Sequence, residues 1–295
     1  MLRQSDTACR FHRLFCTETS GQPSKDDSEY QRKTAMTPRR RTLDPAECAG
    51  LIKDAGSVVA LTGAGISTAA GIPDFRGPQG LYVTRRYDPE KVFDIDWFRH
   101  SPGDFYEFSR DLVEVVKDVR PTFSHHFLAE LEKAGSLMAV ITQNIDMLHQ
   151  MAGSRQVVEL HGSYHSATCM ACGRQHLELS YHWWRQAMTL ASRSPVVACP
   201  DCGGTLKPDI VFFGEFVIGF GQAQALVRQC DLLLVLGSSL LVSPASSLPR
   251  DAQGGIVVVN RGDVMLSAGS DRYFVDQDLD GCFREVAKHL GMVVR

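Results

Sequence analysis

The sequence predicts an α/β fold in which a parallel sheet carries helices on both faces and a smaller inserted domain interrupts the sheet. Three observations support this prediction. Short apolar runs typical of buried strands alternate with stretches of helical periodicity. A glycine-rich turn directly follows the first of those runs. Two regions, residues 84–120 and 166–207, break the alternation and are assigned to the inserted domain.

Composition narrows the class of protein. The 295 residues are 44% hydrophobic and 22% charged, as in ordinary globular proteins, and the net charge of -3 gives no reason to expect nucleic acid as a partner. No apolar run approaches the ~20 residues that span a bilayer, so no membrane association is expected. Nine cysteines, an odd number that includes two Cys-x-x-Cys pairs, argue against a secreted disulfide framework. We therefore expect a reducing compartment, the cytoplasm.

Residues 1–42 are predicted to be a disordered tail, because they are polar and carry charges of both signs. A mitochondrial targeting segment over residues 1–35 is the alternative, since Arg3, Arg10 and Arg13 lie among apolar residues. Acidic residues in the same stretch count against it. The folded part is then 43–295. Its sheet portion is expected at about 43–83, 121–165 and 208–295, and its small domain at about 84–120 and 166–207.

Local signals define the elements in order. Asp44 as N-cap, Pro45 at the first helical position and Glu47 in the first turn predict a helix that runs to Asp54. Apolar runs predict strands at 58–62, 137–142, 157–160, 232–236 and 256–259. Helical spacing predicts helices at about 101–118, 124–134, 220–229 and 281–290.

The turn Gly63–Ser67 follows the first strand and opens a helix. Backbone N–H groups at a helix N-terminus attract a pyrophosphate, and glycine permits its close approach. This order of elements is typical of a Rossmann-like dinucleotide-binding fold. Thr68 occupies the position of the third glycine in the usual fingerprint, so a simple tight turn is the alternative.

Polar residues end three other predicted strands. Gln143, Asn144 and Asp146 follow one, Gly237–Ser239 follow another, and Asn260 follows a third. Open α/β sheets bind ligands at the carboxyl ends of their strands, so these groups are candidates for contacts to ribose, carboxamide and phosphate. Asn144 or Asp146 could instead be the N-cap of the next helix.

Three further segments are candidates for the site. His161 follows a strand and is suited to act as a general base near neutral pH, although a lone histidine more often has a structural role. The loop Gly71–Gly77 presents a carboxylate, an aromatic ring and a guanidinium group. The extended run Lys207–Glu215 could either add a peptide strand at its edge or lie in the core.

The cysteine pairs Cys169/Cys172 and Cys199/Cys202 are separated by 26 residues, 173–198. Four thiolates complete a tetrahedral zinc shell and leave no position for water, which predicts one structural zinc ion. Redox disulfides are the alternative. The inserted domain is therefore expected to be a zinc ribbon with helices.

The order of these motifs along the chain resembles the sirtuin family, in its bacterial and archaeal deacetylase-like form. The resemblance covers roughly residues 50–290. It rests on GAGIS, GIPDFRG, TQNID, HG, the two CxxC pairs, KPDIVFFGE, GSS and VN.

The resemblance implies an NAD-dependent protein-lysine deacetylase. The acyl oxygen attacks the nicotinamide ribose, nicotinamide leaves, and the acetyl group ends on ADP-ribose, with His161 as base and Asn144 beside it. NAD, a consumed co-substrate, would contact Gly63, Ala64, Gly65, Ser67, Asp74, Phe75, Arg76, Gln143, Asn144, Ile145, Asp146, Gly237, Ser238, Ser239 and Asn260. The acetylated peptide, added as a strand, would lie against Val211, Phe213, Gly214, Glu215 and Val242.

Alternatives exist inside and outside that family. Protein ADP-ribosyl transfer differs only in what attacks the sugar, and another uncharged acyl group could replace acetyl. The helix at 101–118 has no Tyr-x-x-Arg pair, which family members that prefer acidic acyl groups use. A hydride-transferring dehydrogenase would more often show the full glycine fingerprint. A zinc-ribbon nucleic-acid module would need a basic face, and residues 166–207 carry few basic residues.

Overall fold

The computed structural model of the chain describes residues 41–72, 87–190, 195–266 and 269–294. Three predicted site residues, Asp74, Phe75 and Arg76, lie outside the described residues, as do residues 1–40. The predicted tail over 1–42 is wrong for its last two residues, because Arg41 and Thr42 pair with the strand Arg272–Val275 of the main sheet.

The described elements alternate along the chain as the sequence predicts. The strands are β1 Arg41–Thr42, β2 Val58–Thr62, β3 Leu137–Thr142, β4 Val157–Glu159, β5 Gly162–Cys169, β6 Gln175–His176, β7 Leu206–Ile210, β8 Leu232–Leu236, β9 Gly255–Val259 and β10 Arg272–Val275. The helices are α1 Pro45–Asp54, α2 Pro89–Val92, α3 Ile95–His100, α4 Pro102–Val116, α5 Phe123–Lys133, α6 Leu148–Ala152, α7 Tyr181–Leu190, α8 Phe220–Gln229 and α9 Leu279–Leu290. Single 3-10 segments cover Ala64–Ala70 and Ala245–Arg250.

The main sheet has seven parallel strands in the order β1-β10-β9-β8-β2-β3-β4. After the edge strand β1, the chain enters the sheet at β2. It adds β3 and β4 on one side of β2 and then β8, β9 and β10 on the other. The direction of building reverses between β2 and β8, so a crevice opens there at the carboxyl ends of the strands. The predicted parallel α/β sheet is confirmed.

Each strand of the sheet sends alternate side chains to opposite faces. Val58 and Ala60 of β2 join one core with α1, α5 and α9, where Phe127 and Phe283 stack at 4.6 Å between ring centroids. Val59 and Leu61 join a second face that α8 covers. Burial on both faces explains why β2 and β8 are uninterrupted apolar runs.

The predicted start of α1 is confirmed in detail. The Asp44 carboxylate accepts a hydrogen bond from the Glu47 N–H at 2.8 Å, and the Glu47 carboxylate accepts one from the Asp44 N–H at 3.0 Å. This reciprocal capping box satisfies two backbone donors that a helix start otherwise leaves free.

A separate core, called the second core below, combines residues 92–116 with residues 164–212. Helices α3, α4 and α7 pack there against a three-stranded sheet of order β6-β5-β7, around fully buried rings such as Phe105, Tyr164 and Trp184. Cys169 and Cys199 belong to the same core. Within the described ranges, no helix is long and apolar enough to cross a membrane.

Candidate active site

A cavity of about 960 Å³ opens at the carboxyl ends of β2, β3, β8 and β9. Most of the predicted site residues face it. They are Gly63, Ala64, Gly65, Gln143, Asn144, Ile145, His161, Val211, Phe213, Gly214, Glu215, Gly237, Ser238, Ser239, Val242 and Asn260. Ser67 and Asp146 are buried beside the cavity wall and act on it through hydrogen bonds.

Glycines allow two backbone loops to touch at the reversal between β2 and β8. A Cβ added to Gly65 would lie 2.7 Å from the Gly237 Cα, and one added to Gly237 would lie 2.5 Å from the Ile66 nitrogen. The Gly65 N–H donates to the Gly237 carbonyl at 2.9 Å. Gly237 also has a φ of +58, which a side chain would strain. The loops that line this part of the cavity therefore require glycine at both positions.

A buried polar network fixes the loop after β3. The Asn144 side-chain amide donates to the Gly63 carbonyl and to the Ser67 hydroxyl, both at 3.2 Å. Ser67 in turn donates to the Asp146 carboxylate at 2.6 Å. Burial raises the pKa of Asp146, while hydrogen bonds from Ser67 and from the Leu148 N–H act in the opposite direction. The network links the β2 turn to the β3 loop as one rigid wall.

The start of α6 differs from the alternative drawn from the sequence. Its N-cap is Met147, at a φ of 62, and neither Asn144 nor Asp146 occupies that position. Asp146 still contributes, because its carboxylate accepts the Leu148 N–H at 3.0 Å. The left-handed residue between Asp146 and the helix leaves Asp146 inside the network, where its second oxygen meets Ser67.

His161 is held in one tautomer. Its Nδ1 lies 2.8 Å from the Gln143 carbonyl oxygen, and a carbonyl can only accept, so Nδ1 carries the proton. In the neutral ring Nε2 is then the free acceptor, on a residue that lines the cavity. Burial lowers the pKa of His161, and the hydrogen bond to Gln143 partly offsets that effect. At neutral pH the ring is therefore a neutral imidazole whose Nε2 can accept a proton.

The segment after β7 runs between two partners. The Val211 N–H donates to the His161 carbonyl at 2.8 Å, and the Phe213 N–H donates to the Phe93 carbonyl at 2.7 Å. Phe213 is half exposed and lines the cavity. The Glu215 carboxylate accepts from the buried Lys207 ammonium at 2.9 Å and from the Phe212 N–H at 2.8 Å. Glu215 thus folds the segment back on β7.

The four paired cysteines meet in the second core. The Sγ atoms of Cys169, Cys172, Cys199 and Cys202 all lie within 4.8 Å of one another. Cys169 and Cys202 are separated by 3.5 Å, and Cys172 and Cys199 by 4.0 Å. Zinc–sulfur bonds of ~2.3 Å in a tetrahedron place sulfurs roughly 3.8 Å apart, so the cluster fits a structural zinc ion. All four thiols are free of disulfides.

A model of the Sir2 family matches residues 63–244. That span contains the glycine turn, the β3 loop, His161 and all four clustered cysteines. The chain belongs to the Sir2 family. It is similar to NAD-dependent protein deacetylase 1 of Pyrobaculum aerophilum, 40% identical over 246 residues that cover 83% of this chain and 91% of the relative. An NAD-dependent protein deacetylase of Thermotoga maritima is 41% identical over 218 residues, 72% of this chain and 85% of the relative.

Solved structures agree with this membership. A Sir2 structure with a deacetylated p53 peptide and 3′-O-acetyl ADP-ribose aligns with a TM-score of 0.76 at 36% identity, over 85% of this chain and 100% of that chain. The bacterial and archaeal deacetylase-like resemblance read from the motifs is thereby confirmed.

The Sir2 cavity has a further wall that sequence reasoning missed. Gln277, Asp278, Leu279 and Asp280, at the start of α9, also line it. The Asp278 carboxylate accepts the Gly281 N–H at 2.7 Å and caps α9. These residues follow β10, a short strand that the hydrophobic pattern did not predict. The acid preceding the last helix was the available signal, because an aspartate N-cap marks a helix start.

Proposed function

We propose that this Sir2 protein is an NAD-dependent protein-lysine deacetylase. It consumes NAD and one water, transfers the acetyl group of acetyl-lysine to the ADP-ribose part of NAD, and releases nicotinamide and the free lysine. The observation that carries the proposal is the fixed tautomer of His161, which leaves Nε2 as the free acceptor on a residue that lines a cavity at a dinucleotide-binding switch point. The names of its relatives, NAD-dependent protein deacetylases, support the same reaction.

NAD would lie across the carboxyl ends of β2, β8 and β9. We assign its phosphates to the backbone of the Gly63–Gly65 turn and of Gly237–Ser239, two loops that line the cavity and that glycine allows to lie in contact. Asn260 would meet the adenosine ribose. Gln143, Asn144, Ile145 and Asp146 would orient the nicotinamide ribose and carboxamide, held by the network through Ser67. Asp74, Phe75 and Arg76 remain assigned to NAD on the sequence motif alone.

NAD supplies the chemistry by departure of its positively charged nicotinamide group. His161 accepts a proton from a ribose hydroxyl, for which a neutral Nε2 is required. Asn144 lines the same cavity, and its amide donates to Gly63 and Ser67. Because these donors are fixed before substrate arrives, little reorganisation accompanies the reaction.

The peptide would bind as an added strand between two loops. One is the segment Val211–Glu215, held by its bonds to His161 and Phe93, and the other contains Val242. Phe213 and Gly214 belong to the first loop, and the exposed half of the Phe213 ring can flank the acyl-lysine. The structural zinc ion would hold the second core and take no part in the reaction.

Nicotinamide release by the zinc-loaded full chain tests the function. We expect release that depends on an acetyl-lysine peptide, with one acetyl group lost per nicotinamide. His161→Ala should lower kcat by at least about 100-fold, the size expected for a lost general base. His165→Ala is the matched control, because this neighbouring histidine is exposed and lies outside the cavity lining.

Two results would redirect the proposal. Transfer of labelled ADP-ribose to protein without loss of acetyl would identify an ADP-ribosyltransferase. Faster release with a propionyl or butyryl peptide than with an acetyl peptide would identify another uncharged acyl group as the substrate.

We also propose that the disordered tail predicted from the sequence ends at residue 40, because Arg41 and Thr42 pair with β10 in the main sheet, and that the protein acts in the cytoplasm. The polar, mixed-charge sequence before Arg41 supports the first point, and cysteines used as free thiols support the second. Cell fractionation of the full chain beside a chain that starts at Met36 tests the location. Mitochondrial recovery of the full chain alone would assign a targeting role to residues 1–35.

A further inference from the structure

The long spacer between the two cysteine pairs carries helix α7, and this helix reaches the active-site loop. Tyr181, at the first position of α7, is 7% exposed. Its hydroxyl donates to the Ile145 carbonyl oxygen at 2.5 Å. Ile145 stands between Asn144 and Asp146, so a residue of the second core contacts the wall of the cavity at its backbone.

The loop has fixed partners on its other sides. The Gln143 N–H donates to the Thr62 carbonyl at 3.0 Å, and the Gln143 carbonyl accepts from His161. The Asn144 N–H donates to the Thr142 hydroxyl at 3.1 Å. The Ile145 carbonyl accepts its hydrogen bond from Tyr181, a residue of the second core.

Burial makes this hydrogen bond hard to replace. A buried tyrosine hydroxyl needs an acceptor, and a buried carbonyl that loses its donor keeps the full desolvation penalty. Burial, together with the nearby Asp146 carboxylate, raises the pKa of Tyr181, so the hydroxyl stays a donor at all physiological pH values. The Ile145 and Met147 side chains also pack against the second core, which brings the loop within reach of Tyr181.

We propose that Tyr181 is a positioning residue that holds the β3 loop for NAD and thereby links the zinc-bearing core to the active site. This inference rests on the proposed NAD-dependent reaction. The carbonyls of Gln143 and Ile145 are two residues apart, and the first orients His161 while the second is held by Tyr181. A shift of the loop would therefore disturb Asn144 and His161 together, while the peptide loops keep their own partners.

The chain offers a matched control in the same cluster. Tyr164 is fully buried and lies 5.5 Å from Tyr181 between ring centroids. Its hydroxyl is paired with the Ser109 hydroxyl at 3.0 Å and so serves the second core. Replacing either tyrosine by phenylalanine removes one buried hydroxyl from one pair of contacting rings, and only one of the two hydroxyls contacts the loop.

The experiment compares Tyr181→Phe and Tyr164→Phe in the zinc-loaded full chain. The measurements are the NAD Kd in the absence of peptide, the KM for NAD and for an acetyl-lysine peptide, kcat, and the unfolding temperature. We expect Tyr181→Phe to weaken NAD binding and lower kcat/KM for NAD by about 5- to 20-fold, the effect of one lost buried hydrogen bond. The KM for peptide should change less than about twofold. Both variants should lower the unfolding temperature by similar amounts. Tyr164→Phe should leave the NAD Kd and the kcat/KM for NAD unchanged.

Two results would overturn the inference. One is NAD binding by Tyr181→Phe equal to that of the wild type. The other is an equal loss of NAD binding in both variants, which would reflect general loosening of the second core. Failure of the proposed function is distinguishable, since the wild-type chain itself would then release no nicotinamide with peptide.

Discussion

Replacing Lys207 with methionine should loosen the loop that borders the peptide site. The Lys207 ammonium donates to the Ile210 carbonyl at 2.8 Å and to the Glu215 carboxylate at 2.9 Å, and it lies 4.3 Å from the centroid of the Phe212 ring. Its side chain is 9% exposed, and that of Glu215 is 31% exposed. Methionine keeps most of the apolar stem and removes the charge.

The magnitude follows from what is left behind. Breaking a buried ion pair by removing one partner costs about 3–5 kcal/mol. Because Glu215 keeps contact with solvent and still accepts the Phe212 N–H, we expect a loss slightly below that range, about 2–3 kcal/mol. Glu215→Gln keeps an oxygen for the Phe212 N–H but leaves the more buried Lys207 ammonium without a charged partner, so it should cost at least as much, about 2–4 kcal/mol.

Urea unfolding of the two single variants and the double variant provides the assay. If the pair acts as a unit, the double variant should be less destabilised than the sum of the singles by at least about 1 kcal/mol. The KM for an acetylated peptide should rise in all three variants, because the loop loses its anchor. Additive losses of free energy, to within about 0.5 kcal/mol, would refute the coupling.

Three further outcomes are expected. Burial lowers the pKa of His161 below 6.5, so kcat/KM should stay high at neutral pH and fall only as the pH drops through that pKa, below pH 6.5. An acid limb with its midpoint above pH 7 would contradict this. Removing zinc with a chelator should lower the unfolding temperature, and adding zinc should restore it, with one ion per chain by elemental analysis. Gly237→Ala should cost about 2–5 kcal/mol in urea unfolding, since its Cβ meets the Ile66 nitrogen and its φ is strained. Gly262→Ala, at a φ of +85 in open space, should cost about 1–2 kcal/mol of strain alone, so equal losses would exclude the clash.

Local patterns were sufficient to predict five of the seven strands of the main sheet and most of the cavity. The runs at Val58–Thr62 and Leu232–Leu236 are buried throughout and, apart from Thr62, apolar, because both faces of the sheet are covered, so they stand out from their neighbours. The residues after these strands then meet at one edge by the geometry of a parallel sheet alone. His161 and Asn260 line the cavity for the same reason.

The features that sequence reasoning missed depend on contacts between distant residues. The strand β10 has four residues and ends in two buried ones, too short for alternation to be distinctive. Tyr181 is one aromatic residue in an amphipathic helix, and nothing local indicates that its hydroxyl meets Ile145, 36 residues earlier. The N-cap of α6 depends on a left-handed Met147, a conformation that methionine rarely adopts.

The strand order also determines how much of the chain must be synthesised before the cavity at the sheet edge can form. Ser57 at the start of β2 donates to Asp231 at the start of β8, 174 residues further along the chain. In a nascent chain that has emerged only as far as α8, the edge of β2 that later pairs with β8 is still open. Such a chain has the glycine turn after β2 and lacks the glycine loop after β8. Sheets closed by such distant strands fold slowly, and the exposed edge is open to chaperones in the meantime. Translation that stops before Gly237 therefore produces a polypeptide without one of the two loops of the proposed NAD site.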